Sequence, residues 1–176
     1  LHDFHRLMIE RGWYGVNLPL ELGGLGRSAM DRLILVEEFE RVGAPHLDLT
    51  ITSLAPIIAR FGTEANREAW LPPIMRGEVV MALGYSEPDA GTDLASLRTA
   101  AVADGDEWVI SGQKIWNSRA HLATHEWMAV RTDPEAPKHR GISVIIVPLS
   151  SPGIEVRPLY TWGYGRTNLT FFDLSL

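Results

Sequence analysis

The chain contains no cysteine, which rules out disulfides, thiolate metal sites and a cysteine nucleophile. That absence fits a reducing compartment, and the expectation is a cytoplasmic protein. It also lacks any apolar run near the roughly 20 residues that a membrane-spanning helix needs, and no signal-peptide pattern opens it. An excess of basic charge is missing too. With 16 Lys and Arg against 22 Asp and Glu, the formal net charge is −6. A sequence-independent nucleic-acid binder, which works by displacing counterions from phosphates, is therefore excluded. No internal repeat or low-complexity stretch is present. What remains is ordinary for a folded domain: 176 residues, 45% hydrophobic and 22% charged. The chain opens inside a helical pattern and stops inside a strand pattern, so it reads as a piece of something longer.

The first part is helical. A short amphipathic helix is expected over residues 4–13, and a Gly- and Pro-punctuated loop over 16–26. A longer helix follows over 28–42, with Ser28 as N-cap and Gly43 as stop. Ile51, Leu54, Ala55, Ile58 and Phe61 form one apolar stripe at helical spacing, ended by Gly62. Thr63 caps a fourth helix that Pro72-Pro73 is expected to disturb. After Gly77 the pattern changes to seven short strands, over 79–83, 99–103, 108–111, 127–131, 142–147, 154–157 and 169–174. Asp104-Gly105 marks a hairpin. Strands without intervening helices predict an antiparallel sandwich or barrel. The fold class is thus α+β in two domains: residues 1–77 helical, residues 78–176 an antiparallel β-barrel or sandwich.

The stretch from Tyr85 to Asp93 leaves an apolar strand and must turn, because Pro88 removes a donor and Gly91 adds freedom. The hydroxyls of Ser86 and Thr92 and the amides of Ala90, Gly91 and Thr92 would surround it. Consecutive amides in a turn suit a phosphate or the edge of a flat heterocycle. Glu87, Asp89 and Asp93 sit where carboxylates cap turns more often than they perform acid–base work, and Asp93 is expected to cap a turn over 94–97. Trp116 and Ser118, two residues apart in an extended segment, would point to one side and offer an indole to stack and a hydroxyl to donate. Two other patterns are weaker. Gly24-Leu25-Gly26-Arg27-Ser28-Ala29 matches a dinucleotide fingerprint but follows a loop, not a buried strand. His121 and His125 have i, i+4 spacing, yet no third ligand stands near, so no metal site is expected.

Together these motifs resemble the acyl-CoA dehydrogenase family along nearly the whole chain. The resemblance rests on Gly12-Trp13, Leu18-Pro19, Gly23-Gly24-Leu25-Gly26, Phe61-Gly62-Thr63-Glu64, Trp70-Leu71-Pro72-Pro73 and Gly77-Glu78 in the helical part. In the β part it rests on Ser86-Glu87-Pro88, Ala90-Gly91-Thr92-Asp93, Asp104-Gly105, Gly112-Gln113-Lys114-Ile115-Trp116-Asn117-Ser118 and Gly165-Arg166-Thr167-Asn168. It implies FAD as cofactor. Tyr85 and Ser86 would bond the pyrimidine edge, Gly91 and Thr92 would approach the pyrophosphate, Trp116 would flank the ring, and Ser118 would bond near N5 and O4. The implied reaction is α,β-dehydrogenation of an acyl-CoA: a carboxylate base takes the Cα proton and a hydride passes from Cβ to N5. Electron-transfer flavoprotein would be the acceptor, and the enzyme would be a dimer or tetramer of like or unlike subunits. The family's catalytic base belongs to a C-terminal helical bundle beyond Leu176, so no catalytic residue is assigned and this stretch alone is expected to be inactive. Arg119, where the family has a small or amide residue, and Asn117, where it has an apolar one, are departures that would bear on the flavin edge or the substrate entrance. Alternatives with the same fold are an acyl-CoA oxidase, a flavin monooxygenase, or a non-catalytic partner subunit.

Overall fold

The structure, a computed structural model, describes residues 2–45, 47–162 and 166–173. Leu1, Gly165, Leu174 and Leu176, which figure in the sequence expectations, lie outside them. The chain divides into two compact units, Leu1–Val80 and Met81–Leu176.

The first unit contains α1 (His2–Glu10), α2 (Ala29–Val42), α3 (Ala55–Phe61) and α4 (Glu64–Met75). Ser28 starts α2 with a full capping box: its hydroxyl accepts the Asp31 amide while the Asp31 carboxylate accepts the Ser28 amide. Gly43 ends it in the left-handed region at φ 66°. The apolar stripe holds for Ile51, Leu54, Ala55 and Ile58, all buried, whereas Phe61 is exposed with Arg60 over its ring. The stripe is not one α-helix. Residues Thr50–Leu54 form a π turn, closed by the Ala55 amide on the Thr50 carbonyl. Pro56 has no amide to give Thr52, and the Arg32 guanidinium bonds that carbonyl instead, at 2.6 Å. α4, in contrast to the sequence expectation, runs through Pro72-Pro73 to Met75. The prolines fall in its last turn, where few ladder bonds remain to lose, and the fully buried Leu71 and Ile74 hold that turn to the core.

The second unit is a seven-stranded curled sheet: β1 (Met81–Gly84), β2 (Ala100–Asp104), β3 (Glu107–Ile115), β4 (His125–Arg131), β5 (Ile142–Pro148), β6 (Ile154–Tyr160) and β7 (Arg166–Asp173). Its order is β1-β4-β2-β3-β7-β6, with β5 paired to β4. Asp104 opposes Glu107 across the expected hairpin. The sheet is mixed: β1 pairs β4 in parallel, and β2 meets β4 in parallel at Ala100 and Arg131. Residues 85–124 separate β1 from β4, and a crossover of that length permits parallel pairing without a helix. The core beneath is built from Ala101, Ile110, Met128, Val130, Val147 and Phe172.

Candidate functional site

β1 ends at Gly84 and the chain leaves the sheet as Tyr85-Ser86-Glu87. Glu87 and Ala90 then close a tight turn, each amide donating to the other's carbonyl, at 2.8 and 3.1 Å. The Ala90 amide is therefore consumed, which corrects the expectation that three amides stand free. Those of Gly91 and Thr92 make no hydrogen bond among the described residues, and both residues are exposed. Asp93 precedes the 3₁₀ turn Leu94–Ser96, but its carboxylate pairs with Lys138 and does not cap it.

Glu87 is structural. Its buried carboxylate accepts the amides of Arg98 and Thr99 at 2.7 and 2.9 Å and the Lys114 ammonium at 2.8 Å. Burial pushes the carboxyl up, but Lys114 and the amides outweigh it and hold it below the usual carboxylate range. Burial also pulls the fully enclosed Lys114 below its ordinary value, despite Glu87 beside it. The same ammonium donates to the Tyr85 carbonyl at 3.1 Å. One lysine thus ties the loop after β1 to β3.

β3 stops at Ile115, whose amide donates to the Ser86 carbonyl at 2.9 Å. Beyond it the chain is not extended, contrary to expectation. Trp116 is in the left-handed region at φ 64°, Arg119 at 63°, and the Ser118 amide bonds the Trp116 carbonyl at 2.8 Å. The turn leaves Trp116 54% exposed and Ser118 exposed, while Asn117 points inward and is fully buried. The Asn117 side chain is thus turned away from the exposed surface that carries Trp116 and Ser118. Its side-chain amide donates to the Leu83 carbonyl at 2.9 Å and to Glu126 Oε1 at 3.0 Å, and its Oδ1 accepts the Thr170 hydroxyl at 3.3 Å. Its backbone exchanges bonds with Asn168, at 3.0 and 2.7 Å.

Glu126 is fully buried, and its Oε2 has no hydrogen-bond partner among the described residues. Burial pushes this carboxyl up to about 7, against smaller opposing effects from Thr170 and Lys114. It fits only because Gly84, two residues along β1 from its register partner Ala82, has no side chain; a Cβ there would overlap Oε1.

Of the sequence-derived site residues, Tyr85, Ser86, Gly91 and Thr92 lie on the loop after β1, and Trp116 and Ser118 on the adjacent turn after β3. The Ile115–Ser86 bond joins the two segments. The Tyr85 hydroxyl accepts the Trp127 indole N–H at 3.1 Å, so its own proton remains to donate. His121 lies on a 3₁₀ turn and His125 on β4, so they share no helix face. The roles of Lys114 and Glu126, and the inward direction of Asn117, were missed. The available signal was Glu126 at the inward period of Met128 and Val130, where an apolar residue belongs.

Residues 2–78 match the acyl-CoA dehydrogenase N-terminal domain, and residues 82–175 the acyl-CoA dehydrogenase middle domain. Acyl-CoA dehydrogenase FadE26 of Mycobacterium tuberculosis is 49% identical over 92% of this chain and 41% of its own length. (2S)-methylsuccinyl-CoA dehydrogenase of Cereibacter sphaeroides is 37% identical, over 89% and 29% respectively. Among solved structures, the Tcur3481-Tcur3483 steroid ACAD superposes with a TM-score of 0.92 at 44% identity, covering 97% of this chain and 44% of that one. The ChsE4-ChsE5 complex from Mycobacterium tuberculosis gives 0.89 at 47%, covering 96% and 44%. The chain spans less than half the length of these relatives. Matched through both of its units, it belongs to the acyl-CoA dehydrogenase family.

Proposed function

We propose that this chain is the N-terminal and middle portion of an FAD-dependent acyl-CoA dehydrogenase, and that the loop after β1 and the turn after β3 hold the flavin. The observation that carries this reading is Trp116: a bulky residue in the left-handed region, half-exposed, beside the Ser86 loop. That conformation costs roughly 1–2 kcal/mol, and a chain that exposes an indole at such cost has a use for it. Gly91 adds support. Its φ is unexceptional and a Cβ there would meet nothing within 4 Å, so the fold does not require glycine at this position. A ligand drawn close to the backbone would.

These residues fit a flavin. Trp116 offers a face for stacking, Ser86 and Ser118 offer hydroxyls, Tyr85 offers a donor or acceptor, and the amides of Gly91 and Thr92 suit a phosphate oxygen. When bound, FAD would supply the hydride acceptor for α,β-dehydrogenation of an acyl-CoA thioester. In this reading the chain's own residues bind the ring's polar rim, cover one side and exclude water, leaving the other side to substrate. The catalytic base is not assigned to any residue here. Relatives that include a steroid ACAD and a two-protein complex support a bulky acyl group and an oligomer of like or unlike subunits. Electron-transfer flavoprotein as acceptor follows from family membership.

The test is to purify the protein at its natural length and record its visible spectrum. Flavin absorption, with reduction by an acyl-CoA and slow reoxidation in air, is expected. A colourless protein that takes up no added FAD would reject the reading, and fast reoxidation would assign an oxidase.

A further inference from the structure

Asn117 is the hub on which the turn after β3 hangs. Through it the turn is bonded to the end of β1 at Leu83, to β4 at Glu126 and to β7 at Asn168 and Thr170. Three of these four partners are matched in type: a carbonyl meets an amide, a hydroxyl meets an amide oxygen, an amide meets a carbonyl. Glu126 is different. A carboxyl has been carried into an apolar strand, at an inward position among Met128 and Val130, with no solvent and with one oxygen unbonded among the described residues. Burying such a group is costly, and a hydrophobic residue of similar size would carry no desolvation cost of its own. Gly84 is the space in which it sits. Two positions, one on β1 and one on β4, are therefore given over to a single acceptor for the Asn117 side chain.

The geometry points to Glu126 as a positioning residue that acts through Asn117 to fix the turn presenting the Trp116 indole and the Ser118 hydroxyl. The acceptor is needed because the Asn117 side-chain amide has two N–H groups and Leu83 satisfies one of them. Without Glu126 Oε1 the second is stranded in the core, and the turn relieves that cost by opening. Opening is easy at this place, since Trp116 and Arg119 on either side are already held in an unfavourable backbone region. What the turn presents rests on the flavin reading above. The positioning itself does not.

The test compares size-matched variants of the natural-length protein. Glu126→Gln keeps an oxygen for Asn117, whereas Glu126→Met keeps the volume but no strong acceptor. The first readout is hydrogen–deuterium exchange without flavin. Met is expected to speed exchange over residues 116–118 by about 10-fold or more, with β5 and β7 changed less than about twofold, and Gln is expected to match the wild type. The second is FAD affinity, expected to weaken about 10-fold with Met and to be retained with Gln. Should Glu126→Met fail to fold, Glu126→Leu removes the same acceptor with a smaller side chain, leaves Asn117 in place and carries the same expectation. Unchanged exchange over 116–118, or an equal rise throughout the sheet, would overturn the inference. Altered local exchange in a protein that binds no FAD would uphold it while rejecting the flavin reading.

Discussion

The Ile115 amide donates to the Ser86 carbonyl at 2.9 Å, so the loop leaving β1 runs against the last residue of β3. Trp116 follows at once, in a backbone region that suits glycine. Ser86 and Trp116, 30 positions apart in sequence, are thereby held as neighbours.

Trp116→Gly separates the cost of that backbone from its use. Glycine adopts a φ of 64° without strain, and the half-exposed indole contributes limited packing. Denaturant unfolding should show stability unchanged or raised by up to about 1 kcal/mol. FAD affinity should fall about 10-fold, as expected for loss of one aromatic stacking partner. A large loss of stability with affinity intact would make Trp116 a core residue and nothing more.

Glu126 predicts an unusual pH dependence. Its folded-state value of about 7 lies above the ordinary 4.5 because burial penalises the charge. Between those values the folded protein keeps a proton that the unfolded chain has released. The group's contribution is therefore fully favourable below pH 4.5 and is lost as pH rises through 7. Fully expressed, the loss is about 3 kcal/mol. Glu126→Gln removes it, so the variant should be more stable than the wild type above pH 7 and similar to it near pH 4.5, by urea unfolding at both. An equal increment at both pH values would contradict this account.

Much of the architecture was readable because local rules acted alone. Ser28 and Gly43 bounded α2 by capping chemistry, and short apolar runs between turn signals marked the seven strands of the sheet. The parallel pairing of β1 with β4 was not readable, since it depends on where a long crossover returns. Continuation of α4 through Pro72-Pro73 was decided by burial of Leu71 and Ile74, a tertiary effect. The exposed loop of the candidate site was legible as a turn at Pro88, although Gly91, read as the source of its freedom, has an ordinary φ and follows the Glu87–Ala90 closure. The loop's buried support was not legible. Asn117 read as a departure near the flavin edge, with nothing local to show that the left-handed Trp116 would turn it inward, and Lys114 gave no sign that it would be enclosed.

Lys114 holds Glu87, and the pair should fail together. Lys114→Met leaves the Glu87 carboxylate buried with only the amides of Arg98 and Thr99. An uncompensated buried charge of this kind costs roughly 3–5 kcal/mol. Adding Glu87→Gln should recover a large part of that loss, because the remaining amides can still bond one neutral oxygen. A double variant no more stable than Lys114→Met would show that the lysine acts mainly through the Tyr85 carbonyl, 3.1 Å away.

Two glycines, Gly84 at the end of β1 and Gly91 on the loop after it, should respond in opposite ways to the same change. At Gly84 an alanine Cβ would overlap Glu126 Oε1, and β1 and β4 pair at that level of the sheet, with Gly84 opposite Met128. The strands cannot part without breaking their ladder, so Gly84→Ala should destabilise by about 2 kcal/mol or more. Combining it with Glu126→Ala, which removes the obstructing carboxyl, should recover part of the loss relative to the sum of the two changes. At Gly91 a Cβ meets nothing, so alanine there should leave the unfolding midpoint unchanged. FAD affinity should nonetheless drop severalfold, because the methyl occupies the space through which a phosphate would approach the Gly91 and Thr92 amides. If Gly91→Ala bound FAD as well as the wild type, the anion would have to sit elsewhere on the loop.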